Sequence, residues 1–131
     1  MPAPRWVDFE TMTDGRGELT VIESELPFSI QRVYYLYGVP SGQQRGAHAH
    51  KELEQIAIPV HGSLEMILDN GETSEKFVLD DPTKGLYIPK LVWRTLQNFS
   101  NDAVLLVLAS LKYDEEDYFR DHDKYIEFLN A

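Results

Sequence analysis

The chain has 131 residues, 22 Asp and Glu against 12 Lys and Arg, a formal net charge of −10 and no cysteine. That length suits one domain, 1–131, able to bury about two-thirds of its unfolded surface. The missing cysteine removes disulfides, thiolate nucleophiles, zinc fingers and iron–sulfur clusters, and the acidic balance opposes a nucleic-acid binder, which needs a basic face.

Near Met1, Pro2, Pro4, Asp8 and Glu10 interrupt any signal-like apolar run. The first extended element predicted is Gly17 to Glu23, where Leu19 and Val21 share a side. Phe28 to Val39 is rich in aromatic and β-branched residues, as strands prefer. Gln55 to Val60 and Ser63 to Leu68 follow, the second running into Asp69-Asn70-Gly71. Asn-Gly between apolar runs predicts a type I′ hairpin, in which both central residues take φ > 0. Glu75 to Leu79, Gly85 to Ile88, Trp93 to Asn98 and Val104 to Tyr113 complete the predicted strands. The apolar run from Ala103 to Leu111 is too short to cross a bilayer, so no membrane partner is expected and a cytoplasmic location is. Short strands divided by turn signals predict an all-β sandwich or barrel. Phe28, Val33, Ile56, Ile58, Val104 and Leu106 are the expected core, and Trp6 and Trp93 are expected in core or interface.

Residues 114–129 are predicted as a C-terminal acidic helix capped by Asp114, with acids in its first turn where they suit the dipole. Seven acids lie between Asp114 and Glu127, against Arg120 and Lys124. By contrast, residues 26–51 and 82–101 contain no acid. If these two windows meet in space, an acidic protein carries a locally cationic pocket.

His48 and His50 are one residue apart, so on a strand both imidazoles project to the same face. Gln55 and Arg45 could join that face. Tyr35 and Tyr37 share one side of their strand and Tyr34 the other. His61 and His122 are expected at the surface, and Lys51 points away from the histidine pair.

Gly42, His48, His50, Gln55 and Gly62 stand at the spacing of the first cupin motif, and Pro89 to Asn98 resembles the second. Two metal-ligand positions differ: Gln55 stands where the motif has glutamate and Arg94 where it has histidine, while Leu91 replaces the motif's glycine. A guanidinium cannot ligate a divalent metal and its charge opposes one nearby, so no metal and no other cofactor is expected. Glu54 could serve as a ligand only through a bulge. Without a metal, two close imidazoles suit acid–base work near neutrality. A tyrosine hydroxyl or an arginine can stabilise an oxyanion, and together these groups suit proton abstraction beside a ketone through an enediolate.

A longer match is carried by RVYYLY (32–37), RGAHAHKELEQ (45–55), ILDNG (67–71), IPKLVWRTLQNFS (88–100) and LASLKYDEEDYFRDHDKYIEFL (108–129). From about Gly15 to Leu129 the chain resembles the cupin-superfamily sugar-nucleotide 3,4-ketoisomerases. The resemblance implies an all-β cupin double-stranded β-helix (jelly roll) with a short C-terminal helix. It implies a homodimer that exchanges the N-terminal strands, residues 1–25. It also implies a metal-independent isomerase that moves the keto group of TDP-4-keto-6-deoxy-D-glucose from C4 to C3, on the route to 3-amino-3,6-dideoxyhexoses of bacterial surface glycans such as O-antigen and S-layer glycans. By position, His48, His50, Tyr35 and Tyr37 become the catalytic candidates. Arg16, Arg32, Arg45, Lys51, Gln55 and Arg94 become the substrate-binding candidates, arginine being suited to bidentate phosphate contact. The C4 configuration of the product and the division of acid and base roles between the two histidines stay open. Alternatives are a TDP-sugar 3,5-epimerase, a metal-dependent cupin and a non-catalytic sugar-binding cupin.

Overall fold

The computed structural model describes residues 3–23 and 26–131. Among the described residues twelve strands run in chain order: β1 (Arg5–Asp8), β2 (Glu10–Asp14), β3 (Gly17–Val21), β4 (Arg32–Tyr37), β5 (Arg45–His50), β6 (Gln55–His61), β7 (Leu64–Asp69), β8 (Ser74–Leu79), β9 (Lys84–Ile88), β10 (Trp93–Gln97), β11 (Val104–Ala109) and β12 (Tyr118–Phe119). One helix, α1 (His122–Leu129), follows. The strands form two five-stranded sheets, ordered β1-β9-β6-β11-β4 and β12-β5-β10-β7-β8, and a separate ribbon of β2 and β3. This is the cupin jelly roll with one short C-terminal helix.

The main core lies between the two sheets, where Leu64, Met66 and Leu68 of β7 meet Ala57, Leu86, Ile88, Leu105 and Val107. A second cluster, Ile56, Ile58, Tyr87 and Leu108, packs under Val7, Phe9, Ile22, Leu26 and Phe28. The first sheet is therefore covered on both faces over β6, which is why Ile56-Ala57-Ile58 is an unbroken apolar run. Of the expected core, Ile56 and Ile58 are buried, Phe28, Val104 and Leu106 are half-buried, and Val33 is exposed. On β11 it is the alternate residues Leu105 and Val107 that face the sandwich. Trp6 is exposed, and half-buried Trp93 packs edge-on against His122 and tilted against Tyr125.

Two local expectations are corrected. Asn70 does not take a positive φ, so the turn is not type I′. A longer loop closes instead: Asn70 N–H donates to Thr73 O, its Oδ1 accepts from the N–H groups of Glu72 and Thr73, and only Gly71 has φ of 95°. The helix predicted over 114–129 is likewise three pieces. Asp114 caps a short 3₁₀ turn, Glu115–Asp117, then comes β12, and α1 starts only after its own cap, Asp121. Asx capping by Asp114 can serve one turn, but the paired backbone of Tyr118 and Phe119, opposite His50 and Ala49, ends it.

Candidate active site

The two acid-free windows meet in space. Strand β10 pairs antiparallel with β5, placing Arg94 opposite His48, Thr95 opposite Gly46 and Leu96 opposite Arg45. The register slips between Arg94 and Thr95, so Ala47 is an extra residue on β5. Gly46 and Ala47 both lie in the left-handed region, with φ of 83° and 58°. A bulge of this kind re-aims neighbouring side chains, as bulges beside functional sites commonly do. A Cβ on Gly46 would stand 2.9 Å from Leu96 Cδ1 and 3.2 Å from Arg94 O.

Between the sheets opens a cavity of about 600 Å³, lined on one side by His48, Arg45 and Arg94 and on the other by Arg32, Tyr34 and Gln55. Tyr118 and Arg120, from the C-terminal segment, close its rim. Four arginines thus face one cavity of a protein whose net charge is −10. Arg32 lies over the rings of Tyr34 and Tyr113, and Arg120 lies over that of Tyr118 while its guanidinium is paired at two atoms with Glu115.

His48 lines the cavity and His50 stands behind it, 0% exposed, with the two rings edge-to-face and their centroids 4.9 Å apart. Tyr118 covers both, at 5.0 Å from His48 and 4.3 Å from His50. Burial, then the Arg94 charge, pulls the His48 imidazole down to about 4, against a hydrogen bond to the Gly46 backbone that raises it. The same two causes pull His50 down. Both rings are therefore neutral at neutral pH and can accept protons. Burial likewise lowers Arg94 to about 10, which leaves it charged, and burial raises Tyr34, which stays a phenol.

Arg94 Nη1 donates to Gln55 Oε1, Arg94 Nη2 donates to Val92 O at 3.0 Å, and Gln55 Nε2 donates to Tyr34 Oη at 3.1 Å. The side chains at the two altered cupin positions are thus bonded to each other. Among the described residues no group of three or more His, Cys, Asp or Glu is arranged to hold a metal ion. Glu54 is not drawn inward by a bulge: it accepts a hydrogen bond from Tyr87 Oη.

The remaining sequence candidates are placed elsewhere. Tyr35 and Tyr37 stand on the outer side of β4, 61% and 69% exposed and stacked on each other at 5.8 Å, while Tyr34 and Leu36 point inward. The alternation was legible, but the sign of the face is set by the register with β11, which puts Tyr34 beside Val107 and Leu36 beside Leu105, on the side turned toward the second sheet. Lys51 turns away, its Nζ over the Phe119 ring. Arg16 sits at the tip of the β2–β3 ribbon, with its side chain 91% exposed and paired with Asp14. His61 and His122 are at the surface, paired with Asp102 and Asp69. Sequence reasoning missed Tyr34, Tyr118, Arg120 and Asp117. The last three lie in the segment read as one acidic helix, where the aromatics Tyr118 and Phe119 among the acids were the available signal of a strand.

A family model described as "FdtA: WxcM-like, C-terminal" matches residues 3–130. The chain is 42% identical over 125 residues to the TDP-4-oxo-6-deoxy-alpha-D-glucose-3,4-oxoisomerase of Aneurinibacillus thermoaerophilus, covering 94% of this chain and 90% of that protein. Among solved structures it is similar to a 3,4-ketoisomerase from Helicobacter canadensis (TM-score 0.94, 43% identity, 98% of each chain). It is also similar to QdtA, a sugar 3,4-ketoisomerase from Thermoanaerobacterium thermosaccharolyticum solved in complex with TDP (TM-score 0.94, 42% identity, 97% of this chain and 94% of that one).

Proposed function

The chain belongs to the cupin-superfamily TDP-sugar 3,4-ketoisomerases, and from that premise we propose how its residues divide the work. It is an isomerase that acts on a TDP-4-keto-6-deoxyhexose, exchanging the 4-keto for the 3-keto form. In our reading the hexose of TDP-4-keto-6-deoxy-D-glucose lies in the cavity with C3 against His48. The neutral imidazole takes the C3 proton, and the C–H electron pair flows into the ring to give a C3–C4 enediolate with charge on O4. Arg94 and the Tyr34 phenol supply positive charge and a hydrogen-bond donor for that oxygen. The O3 hydroxyl gives up its proton and O4 takes one up, while C4 receives a proton in place of the one that His48 removed and then sheds, so the carbonyl is at C3 and a hydroxyl at C4. No atom is gained or lost. Arg32, Arg45 and Arg120 face the pyrophosphate, and Arg32 and Arg45 can balance its two charges while Arg120 is shared with Glu115.

The observation that carries this reading is a neutral His48 on the wall of an arginine-lined cavity, backed by a second, buried imidazole. It is tested by incubating the protein with TDP-4-keto-6-deoxyglucose in deuterium oxide and following the sugar by NMR. The carbonyl is expected at C3, with solvent deuterium on the ring; a carbonyl that stays at C4 while C3 and C5 invert would make the protein an epimerase.

The same proposal includes a homodimer in which residues 1–25 cross to the partner. The ribbon of β2 and β3 stands apart from both sheets with Met12 and Leu19 exposed, and β4 is a sheet edge whose outer face carries Val33, Tyr35 and Tyr37. Residues 1–2 and 24–25 of that segment lie outside the described residues. Exchange would carry Arg16 toward the partner's cavity, where it would serve the substrate. The 3-keto product is suited to transamination, giving a 3-amino-3,6-dideoxyhexose for a surface glycan. Among the described residues no helix is long and apolar enough to cross a membrane.

A further inference from the structure

Asp117 is the one buried carboxylate among the described residues, and it touches His50. It closes the 3₁₀ turn that Asp114 caps, immediately before β12 pairs with β5. Its Oδ1 accepts from the Glu52 N–H at 2.8 Å, and its Oδ2 accepts from the Leu53 N–H at 3.2 Å and faces His50 Nδ1 at 3.2 Å. Backbone amides only donate, so the site around the carboxylate is built for an acceptor. An ionised carboxylate has no proton to give, so the hydrogen between Asp117 and His50 belongs to Nδ1. A neutral imidazole carries a single N–H, which leaves the lone pair on Nε2. That nitrogen is buried and has no hydrogen-bond partner in the protein. It belongs to the ring that packs against both Tyr118 and His48, behind the cavity wall.

We propose that Asp117 is a positioning residue for the isomerisation: it fixes His50 as the Nδ1-protonated tautomer and so keeps Nε2 as a proton acceptor beside His48. The proposal rests on the ketoisomerase reading of this site. A carboxylate on the far nitrogen of a working imidazole selects the tautomer, holds the ring plane and strengthens the other nitrogen as a base. Here the carboxylate comes from a segment 67 positions downstream of the histidine, so the C-terminal return strand has a chemical task besides packing. A purely structural role is the competing account, because Asp117 also ties residues 52 and 53 to that segment.

Asp117→Asn separates the two. Its remaining oxygen can still accept from the Glu52 N–H, while its amide N–H₂ takes the place of the oxygen that faced Leu53 N–H and His50 Nδ1 and drives the ring proton to Nε2. The readout is a long-range ¹H–¹⁵N spectrum of histidine-labelled protein near neutral pH, with His50→Gln used to assign the His50 signals. The Nδ1–H tautomer is expected in the wild type and the Nε2–H tautomer in the variant. The variant is also expected to lose about 10- to 100-fold in kcat, with KM nearly unchanged and Tm modestly lowered by the loss of the Leu53 N–H acceptor. A wild-type His50 protonated on Nε2, or a variant that switches tautomer and keeps its kcat, overturns the proposal. Should the variant not fold, the wild-type spectrum still decides whether Asp117 holds the Nδ1 proton. A wild type that fails to isomerise the sugar nucleotide defeats the ketoisomerase reading instead, and leaves the tautomer result standing.

Discussion

The guanidinium of Arg94 and the side-chain amide of Gln55, which replace a histidine and a glutamate of the metal-binding cupin pattern, are hydrogen-bonded to each other at the floor of the cavity. A cation, an amide oxygen already taken and two imidazoles make a poor nest for a divalent ion, and Arg94 would repel one at close range. Activity is therefore expected to survive exhaustive chelation, and calorimetry with nickel or zinc to show no binding at this site. The double variant Gln55→Glu, Arg94→His presents three imidazoles and a carboxylate and is expected to bind one such ion per chain. Tight binding of these ions by His48 and His50 of the wild type would contradict the account.

With the His48 imidazole held down to about 4, it is already an unprotonated base at every pH above that. The kcat/KM profile of the enzyme is expected to stay flat through pH 6.5, the ordinary histidine value, and to fall only toward about 4. Stability follows the same sign. A folded-state pKa below the unfolded one contributes stability that is complete above 6.5 and lost as pH falls toward about 4, because the unfolded chain takes up the proton first. The drop in Tm on acidification through that window is expected to be smaller in His48→Gln than in the wild type.

Tyr34 accepts its hydrogen bond from Gln55, which leaves its own hydroxyl hydrogen for the cavity. Tyr34→Phe is expected to cut kcat by roughly 10-fold or more while sparing the fold, as loss of an oxyanion donor does. Tyr37→Phe, on the outer face of β4, is expected to stay within about 2-fold of wild type. Equal losses in the two variants, measured by steady-state kinetics, would put the catalytic tyrosine on the wrong side of the strand.

Gly46 carries φ of 83° and has no room for a Cβ, since Leu96 is packed in the core and Arg94 O is backbone. Gly46→Ala is expected to cost about 1–3 kcal/mol, lowering Tm by several degrees. Because the bulge aims His48, kcat should fall along with Tm. A variant of wild-type stability and activity would show that the bulge is not needed.

The cupin sandwich and the histidine pair were legible in the sequence because both are local: short strands announce themselves by composition, and His-x-His on a strand fixes a shared face. Arg94 and Gln55 were found by motif position, and the structure shows that they are hydrogen-bonded to each other. What stayed hidden depended on long-range pairing. Tyr34 rather than Tyr35 faces inward because pairing with β11 sets Tyr34 beside the core residue Val107, a fact no alternation pattern contains. Arg16 and Lys51 were placed by carry-over from the family, and within the described residues neither reaches the cavity of its own chain. The acids after Lys112 look like a solvated helix until β12 folds back onto β5 and takes Asp117 out of water.

That return strand also sets an order of events during synthesis. Strands β5 to β11 can pair while the ribosome is still making the rest, so both sheets and the cavity can exist early. Tyr118 and Arg120 reach the rim only after nearly the whole chain has emerged, and His50 has no carboxylate beside it until the same moment. A nascent or prematurely stopped chain can therefore resemble the finished fold and still lack an oriented base. Incomplete copies are therefore expected to turn over a keto sugar far more slowly than the finished chain.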